Sequence, residues 1–594
     1  MSDFENQKTV AGFTMKLWRG ERMCLVAFDV AQPEPDLVGF AIECRSPDSG
    51  GNFQPLMNRI TFAEADPGAV AVTGSRIFPS TNSPFQKFRW VHFPFNPQNG
   101  TYTYRGTKIH MPSDGVLTKG TAIELDISLD PQTYDGFLDV GFTRGFASSQ
   151  AFRDKFPANA NMDKIGPQII PSSAKSGLTF PKVAPGALTP GNIYEWMGFE
   201  AYDLLFGFLD DAIADNKISL DVFAYDLNEP DLLSRLEALK DRLRIIIDDS
   251  TKKNKQGVVS GHGTPQSDES KAAKMLRASA GSANVKRTHF QGLQHHKVLI
   301  ARRNGVPVKV LCGSTNFSFR GIYIQANNML VFDSPAVADL YGRVFDAAFA
   351  DPSKFSSNDL AGKWHLVTTP NQPAVRICFS PHKSSDLSLN PVKGAVDGAT
   401  SSVFYAVAFL NQVQSGPTKE AFDRVMTRPI FSYGISDKAS GLEIKKPDGS
   451  TGLVDFAYLA LNAPEPFKSE WSGGGGINVH HKFVVTDFNL PTAKVFTGSS
   501  NLAPSGEKGN GDHLIMIEDR KLAIAYAIEA LRVFDHLHFR SRMKAAGKKP
   551  GKAAKKPAAL HLWKPKAISG KPAWFEEYYV ADSQLERDRT LFVQ

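Results

Sequence analysis

Two short elements hold the residues best suited to chemistry. His295-His296-Lys297 and His480-His481-Lys482 repeat one tripeptide. Each is followed, 18 residues after its first histidine, by a small-residue turn: Gly313-Ser314-Thr315-Asn316 in one copy and Gly498-Ser499-Ser500-Asn501 in the other. Residues two apart on a strand share a face, so His295 points with Lys297 and His480 with Lys482. Each copy therefore offers an imidazole, an ammonium, a hydroxyl and a carboxamide. Together they supply what phosphodiester cleavage needs. One imidazole can attack phosphorus while the other protonates the departing oxygen. Lys297, Lys482, Asn316 and Asn501 can hold the non-bridging oxygens as charge concentrates on them. No metal is needed for that charge, and no His/Asp/Glu or Cys/His run has metal-ligand spacing, so no metal or other cofactor is expected. A single HxK would carry little weight, because lone histidines are commonly structural. The duplicate, with the same turn at the same distance, carries the argument.

The elements that position these residues are themselves repeated. Residues 295–333 lie on 480–518 without a gap at an offset of 185, which matches Lys309-Val310 with Lys494-Val495 and Gly321 with Gly506. The same offset places ISLDV at 218–222 on VFYAV at 403–407. A shared register over a motif and a distant strand predicts duplication of a whole α/β unit. From about residue 133 short β-runs alternate with helical patterns such as EPDLLSRLEALKDRL, as an α/β domain requires. The polar segment 252–270 reads as an exposed loop, and SGGGG at 472–476 as a loop or a mobile lip over the site. Before residue 131 six β-rich runs separated by turn clusters predict a small antiparallel β-sandwich, immunoglobulin- or fibronectin-like, without a catalytic cluster.

HxKxxxxD followed by GSxN resembles the signature of the phospholipase D superfamily, the HKD phosphodiesterases, in its single-chain type with two motifs. The second copy matches in full: His480, Lys482, Asp487, Gly498, Ser499 and Asn501. The first has Arg302 where the acid should stand. The resemblance assigns that acid, and so Asp487, to bracing the fold outside the reaction centre. It also implies an acid after GSxN that orients a catalytic histidine. The second copy has Asp512 there, and the first has Asn327-Asn328. The implied architecture is two pseudo-symmetric α/β halves, with FLDVGFTRG and VRICFSPHK as their opening strands, meeting in one cleft over about residues 133–540. The implied mechanism runs through a phosphohistidine, with His295 the nucleophile and His480 the general acid, although the sequence alone permits the reverse. His296 and His481 face away as packing or supporting groups. Ser314 and Ser499 either contact phosphate or shape their turns. The resulting domain division is a sandwich at 1–132, halves at 133–360 and 361–540, and a basic linker and tail at 541–594.

Composition bounds the partners. The 594 residues are 42% hydrophobic and 22% charged, which is ordinary for a globular chain. Four scattered cysteines, no leader-like N-terminus and no long apolar run predict a cytoplasmic protein without a transmembrane anchor, or one exported without a cleaved signal. Residues 541–571 hold ten Lys or Arg and no acid, so the overall +7 becomes −3 without them. That segment reads as a solvated linker or as a contact for an anionic surface. The substrate expected is a phospholipid head group, hydrolysed or transferred by a monomer, because two motifs in one chain resemble the lipid enzymes. A metal-independent nuclease and a weakened phosphate-binding protein are the alternatives.

Overall fold

The computed structural model describes residues 4–65, 77–131, 133–145, 155, 190–410, 413–438, 441–445, 451–454, 479–546 and 561–594. All six expected early runs form strands: Phe13–Arg19, Cys24–Val30, Leu37–Arg45, Arg89–His92, Thr101–His110 and Thr118–Ser128. A further strand, Glu5–Val10, escapes pattern reading because ENQKTV is polar throughout except at Val10; it is an edge strand beside Phe13–Arg19. With the short strand Gln54–Pro55, these strands make two four-stranded antiparallel sheets. Alternation sends Phe13, Met15, Leu17 and Phe28 of one sheet against Phe40, Ile42 and Tyr104 of the other.

Residues 561–594 pack on this region. Trp574 lies edge-on to Phe40 and donates from Nε1 to the Leu37 carbonyl at 3.0 Å, while Trp18 Nε1 donates to the Phe592 carbonyl at 2.7 Å. Buried Arg89 ties three segments together, donating to Asp535, Asp588 and the Tyr433 hydroxyl at 2.6, 2.6 and 2.9 Å. Residues 547–560, with half the charges of the basic run, lie outside the described residues, as does 472–476.

The rest of the chain is a mixed α/β structure. One seven-stranded sheet runs in the order Leu138–Phe142, Asn328–Phe332, Val306–Gly313, Val298–Arg303, Ile218–Ala224, Leu243–Ile247, Val285–Arg287. A nine-stranded sheet runs His365–Val367, Val375–Ser380, Asp512–Ile517, Lys494–Gly498, Lys482–Thr486, Ser402–Val407, Phe431–Lys438, Gly441–Lys445, Thr451–Val454. In the first, both faces are covered. Val298, Ile300, Val310 and Cys312 face a core shared with the second sheet, whereas Leu299, Ala301 and Leu311 face helices such as Pro190–Ala214 and Pro230–Ala238. Burial on both faces explains the continuous apolar runs. Among the described residues no helix is long and apolar enough to cross a membrane.

Strand pairing tests the repeat residue by residue. Val310 pairs with Phe332 and Val495 with Ile517; Leu299 pairs with Leu311 and Val484 with Phe496, all related by 185. The opening strands correspond as well, because Phe142 pairs with Asn328 and Phe379 with His513. The strand 218–224 departs from the expected register. Val222 pairs with Leu299 and Tyr405 with Val484, so Val222 corresponds to Tyr405 at an offset of 183. A slip of two residues keeps every side chain on its original face, which is why the apolar pattern alone could not register it.

Candidate active site

Each HxK element stands at the entrance of a strand. The regular strands begin at Val298 and Lys482, so His295 and His480 occupy extended lead-ins. The opposite sheet holds these lead-ins in place. Gln294 bridges to Gly511 and Val479 to Ala326, both in parallel, with His295 N–H donating to the Gly511 carbonyl and His480 N–H to the Ala326 carbonyl, each at 2.9 Å. Gly511 and Ala326 are themselves related by 185, so one bridge is made twice with the roles of the copies exchanged.

The GSxN turns follow the strands ending at Gly313 and Gly498, both at φ +142°. A Cβ there would come within 2.4 Å of the Asn328 carbonyl and 2.3 Å of the His513 carbonyl, which makes glycine the residue these turns require. The close approach lets Ser314 Oγ reach Asn327 Oδ1 at 2.9 Å and Ser499 Oγ reach Asp512 Oδ1 at 2.6 Å. Both serines are fully buried in these contacts.

The histidines are oriented across the interface. His295 Nδ1 lies 2.7 Å from Asp512 Oδ1, and His480 Nδ1 lies 3.0 Å from Asn327 Oδ1. Asn327 Nδ2 donates to the Gly321 carbonyl at 2.9 Å, which fixes the amide oxygen towards His480. Each copy thus supplies the acceptor for the other copy's imidazole, a carboxylate in one case and a carboxamide in the other. Lys482 Nζ lies 3.1 Å from His480 Nε2, and Lys297 Nζ donates to the His295 carbonyl and lies 4.7 Å from the centre of the Tyr225 ring. His296 and His481 do face away, His296 against His513 at 3.2 Å and His481 on Glu529 at 2.8 Å.

The four cationic or basic groups feel one another, and all are buried. Burial first, then the fields of Lys297 and Lys482, hold His295 far below the usual imidazole range. Burial, Lys482 and Lys297 do the same to His480. Burial brings Lys297 down to about 8 against the pull of Asp512, and pushes Asp512 up to about 7 against the pull of Lys297. Lys482 is lowered well below its usual value by burial and by Lys297. Such a site is short of negative charge, and an anionic phosphate would restore the protons it has lost.

Asn316 and Asn501 both keep a buried carboxamide oxygen without a partner. The Asn316 nitrogen donates to Asp226 Oδ2 at 2.6 Å, which introduces a group of residues that motif reading overlooked. Asp226 contacts His262, His262 contacts Asp248, and the Tyr225 ring lies 4.8 Å from His295 and 4.5 Å from His262. A signal for them did exist. Asp226 and Asp248 sit just beyond the carboxyl ends of the adjacent parallel strands Ile218–Ala224 and Leu243–Ile247, where α/β sheets build their sites. Among the described residues, Asp226, His262 and Glu269 are the one group with donor atoms close enough for a metal ion, within 4.8 Å. Both ring nitrogens of His262 are already hydrogen bonded, to Asp248 and Asp226, which describes a closed ion cluster.

Asp487 lies away from these groups. Its carboxylate accepts from the backbone N–H groups of Thr400, Ser401 and Ser402 and so braces the start of the strand Ser402–Val407. In the first copy Arg302 replaces that brace with ion pairs to Asp221 and Asp346, both shared with Arg244.

The mixed α/β chain thus brings two crossed His-Lys elements together. Residues 209–349, which include His295, Lys297 and the first GSxN turn, match the family model described as cardiolipin synthase, PLD-like domain. Residues 209–349 are thereby similar to a phospholipase D-like domain. No curated protein matches the sequence. Solved structures similar to it include phosphatidylserine synthase from Haemophilus influenzae Rd KW20, at 11% identity over 56% of this chain and 85% of that one, TM-score 0.38. Polyphosphate kinase from Porphyromonas gingivalis shares 11% identity over 60% of this chain, TM-score 0.34; the match spans about half, 52%, of the kinase. Yeast tyrosyl-DNA phosphodiesterase shares 12% over 52% of this chain and 84% of its own, TM-score 0.27.

Proposed function

We propose that the chain is a phospholipase D-type phosphodiesterase that hydrolyses or transfers phospholipid head groups through a phosphohistidine. The crossed contact between His295 and Asp512 at 2.7 Å carries this reading. With Nδ1 engaged by a carboxylate, the His295 ring presents Nε2 as its nucleophilic nitrogen, and burial keeps that ring neutral. Nε2 forms a bond to phosphorus as the bond to the leaving oxygen breaks, and His480 gives that oxygen its proton. Water then attacks the phosphohistidine, losing its proton to His480, and His295 is released. Lys297, Lys482, Asn316 and Asn501 hold the phosphoryl oxygens. Asp512 positions His295, Asn327 performs that role for His480, and Ser314 and Ser499 support the two acceptors.

In this reading residues 133–360 and 361–540 are pseudo-symmetric halves facing one cleft, and residues 1–132 are a β-sandwich joined to them by the segment after 561. The phospholipid assignment draws on both motifs standing in one chain and on the lipid-synthase description of the matched domain model. The test is direct comparison of head-group release from phospholipid vesicles with degradation of single-stranded DNA, each with and without EDTA. Release of head group insensitive to EDTA is the expected result. DNA degradation with inert vesicles would transfer the same chemistry to a nuclease.

A further inference from the structure

The His295 side of the site carries an ionisable cluster centred on His262. His262, at the end of an exposed hairpin over 251–261, uses both ring nitrogens: Nδ1 lies 2.9 Å from Asp248 Oδ2 and Nε2 lies 3.1 Å from Asp226 Oδ1. Each carboxylate spends its other oxygen on a residue of the site. Asp226 Oδ2 accepts from Asn316 Nδ2 at 2.6 Å, and Asp248 Oδ1 accepts from the backbone N–H of Gln294, next to His295, at 2.7 Å. One imidazole therefore joins the GSxN arm to the HxK arm.

We propose that His262 is a positioning residue: by clamping Asp226 and Asp248 together it holds Asn316 and His295 as one preorganised edge against the phosphoryl group. What that edge does rests on the phosphodiesterase reading above; the clamp itself does not. The groups facing His262 are Asp226, Asp248, Glu269 at 3.9 Å, the Tyr225 ring, and Arg287, which donates to the His262 carbonyl at 2.6 Å. Burial alone would deprotonate the imidazole, but Asp226 and Asp248 outweigh it and raise its pKa to about 10. The hydrogen bond from His262 and the field of Lys297 in turn keep Asp226 ionised against its burial. At the strand offset of 183, Asp226 corresponds to Phe409, whose ring lies 6.1 Å from that of His480. The Asn501 carboxamide is thus approached by no carboxylate from that position.

The experiment compares wild type, His262→Gln, and His289→Gln, the last breaking a neighbouring His–Asp249 contact that does not reach the site. With bis(p-nitrophenyl) phosphate, His262→Gln should lower kcat by about 10–100-fold, with KM and the unfolding temperature little changed. The wild-type rate should fall as Lys297 loses its proton near pH 8 and fall again as pH passes about 10, and His262→Gln should lack the second step. His289→Gln should behave as wild type. In parallel, hydrogen exchange of the Asn316 side-chain amide, followed by NMR, should quicken at least about tenfold in His262→Gln. This readout decides the clamp even if the wild type proves inert towards diesters, an outcome that would count only against the proposed function. Unchanged amide exchange in His262→Gln would overturn the proposal. So would kcat within about twofold of wild type, or an equivalent of bound metal in the purified protein that His262→Gln removes.

Discussion

The His295 half and the His480 half share strand register along the strands that carry GSxN, yet they give their imidazoles unlike surroundings. His295 meets the Asp512 carboxylate and lies within the field of Asp226 and Asp248; His480 meets the amide oxygen of Asn327 and an aromatic neighbour, Phe409. On the proposed phosphodiesterase reading, nearly matching strand registers therefore serve two histidines with different protonation tasks. A nucleophile must be unprotonated when it attacks and a general acid protonated when it donates, so one site has to treat its two imidazoles differently. On that reading, the carboxylate at 512 and the carboxamide at the related position 327 carry the difference.

The sharpest way to break the comparison is to remove each histidine. His295→Ala should lower kcat by about 10⁴-fold or more and leave no acid-quenched phosphohistidine. His480→Ala should still form the adduct, most readily when the leaving group needs no proton. Adduct formation in His295→Ala but not in His480→Ala would exchange the two assignments.

Making the halves alike comes next. Asp512→Asn should cost about 10–100-fold in kcat, as supporting carboxylates of histidine typically do. Because the Asp512 carboxyl is raised to about 7, the wild-type rate should climb as pH passes through 7, and the variant should lose that step. Stability should run the other way. A carboxyl raised in the folded protein contributes stability that is complete below its unfolded pKa of about 3.9 and is lost as pH rises through 7. Asp512→Asn should therefore unfold at an equal or higher temperature than wild type at pH 8, measured by calorimetry.

The smaller effects separate the two fold braces. Asp487→Ala strips an acceptor from three backbone N–H groups and should cost about 1–3 kcal/mol of stability while kcat stays near wild type. Arg302→Ala should cost about 1 kcal/mol or less, because Asp221 keeps its two hydrogen bonds from Arg244. Equal losses in urea unfolding would mean that the two copies are braced alike.

Much of this arrangement was legible in the sequence where local pattern decides it. The early strands alternate apolar residues with a period of two, and the HxK and GSxN elements recur at one spacing. What local pattern does not record is where distant segments meet. The two-residue slip at Val222 and Tyr405 leaves every face unchanged, so hydrophobic periodicity is blind to it. The segment 252–270 reads as an exposed loop, and the hairpin 251–261 is indeed fully exposed; His262 at its end turns inward because Asp226 and Asp248, fixed by other strands, wait there. A lone histidine in a Gly-rich stretch carries no mark of such partners. The aromatic residues Trp574, Phe575, Tyr578 and Tyr579 likewise look like a tail until the sheets they complete are in view.

That docking has a consequence for the order of synthesis. Phe13, Phe28 and Phe40 leave the ribosome hundreds of residues before Trp574 and Phe575, which pack with them in the same core. The two N-terminal sheets must wait through translation of both His-Lys elements with part of their apolar surface uncovered. The first core begun is among the last completed, and a nascent chain stalled before residue 573 would present that surface to chaperones rather than to its own side chains.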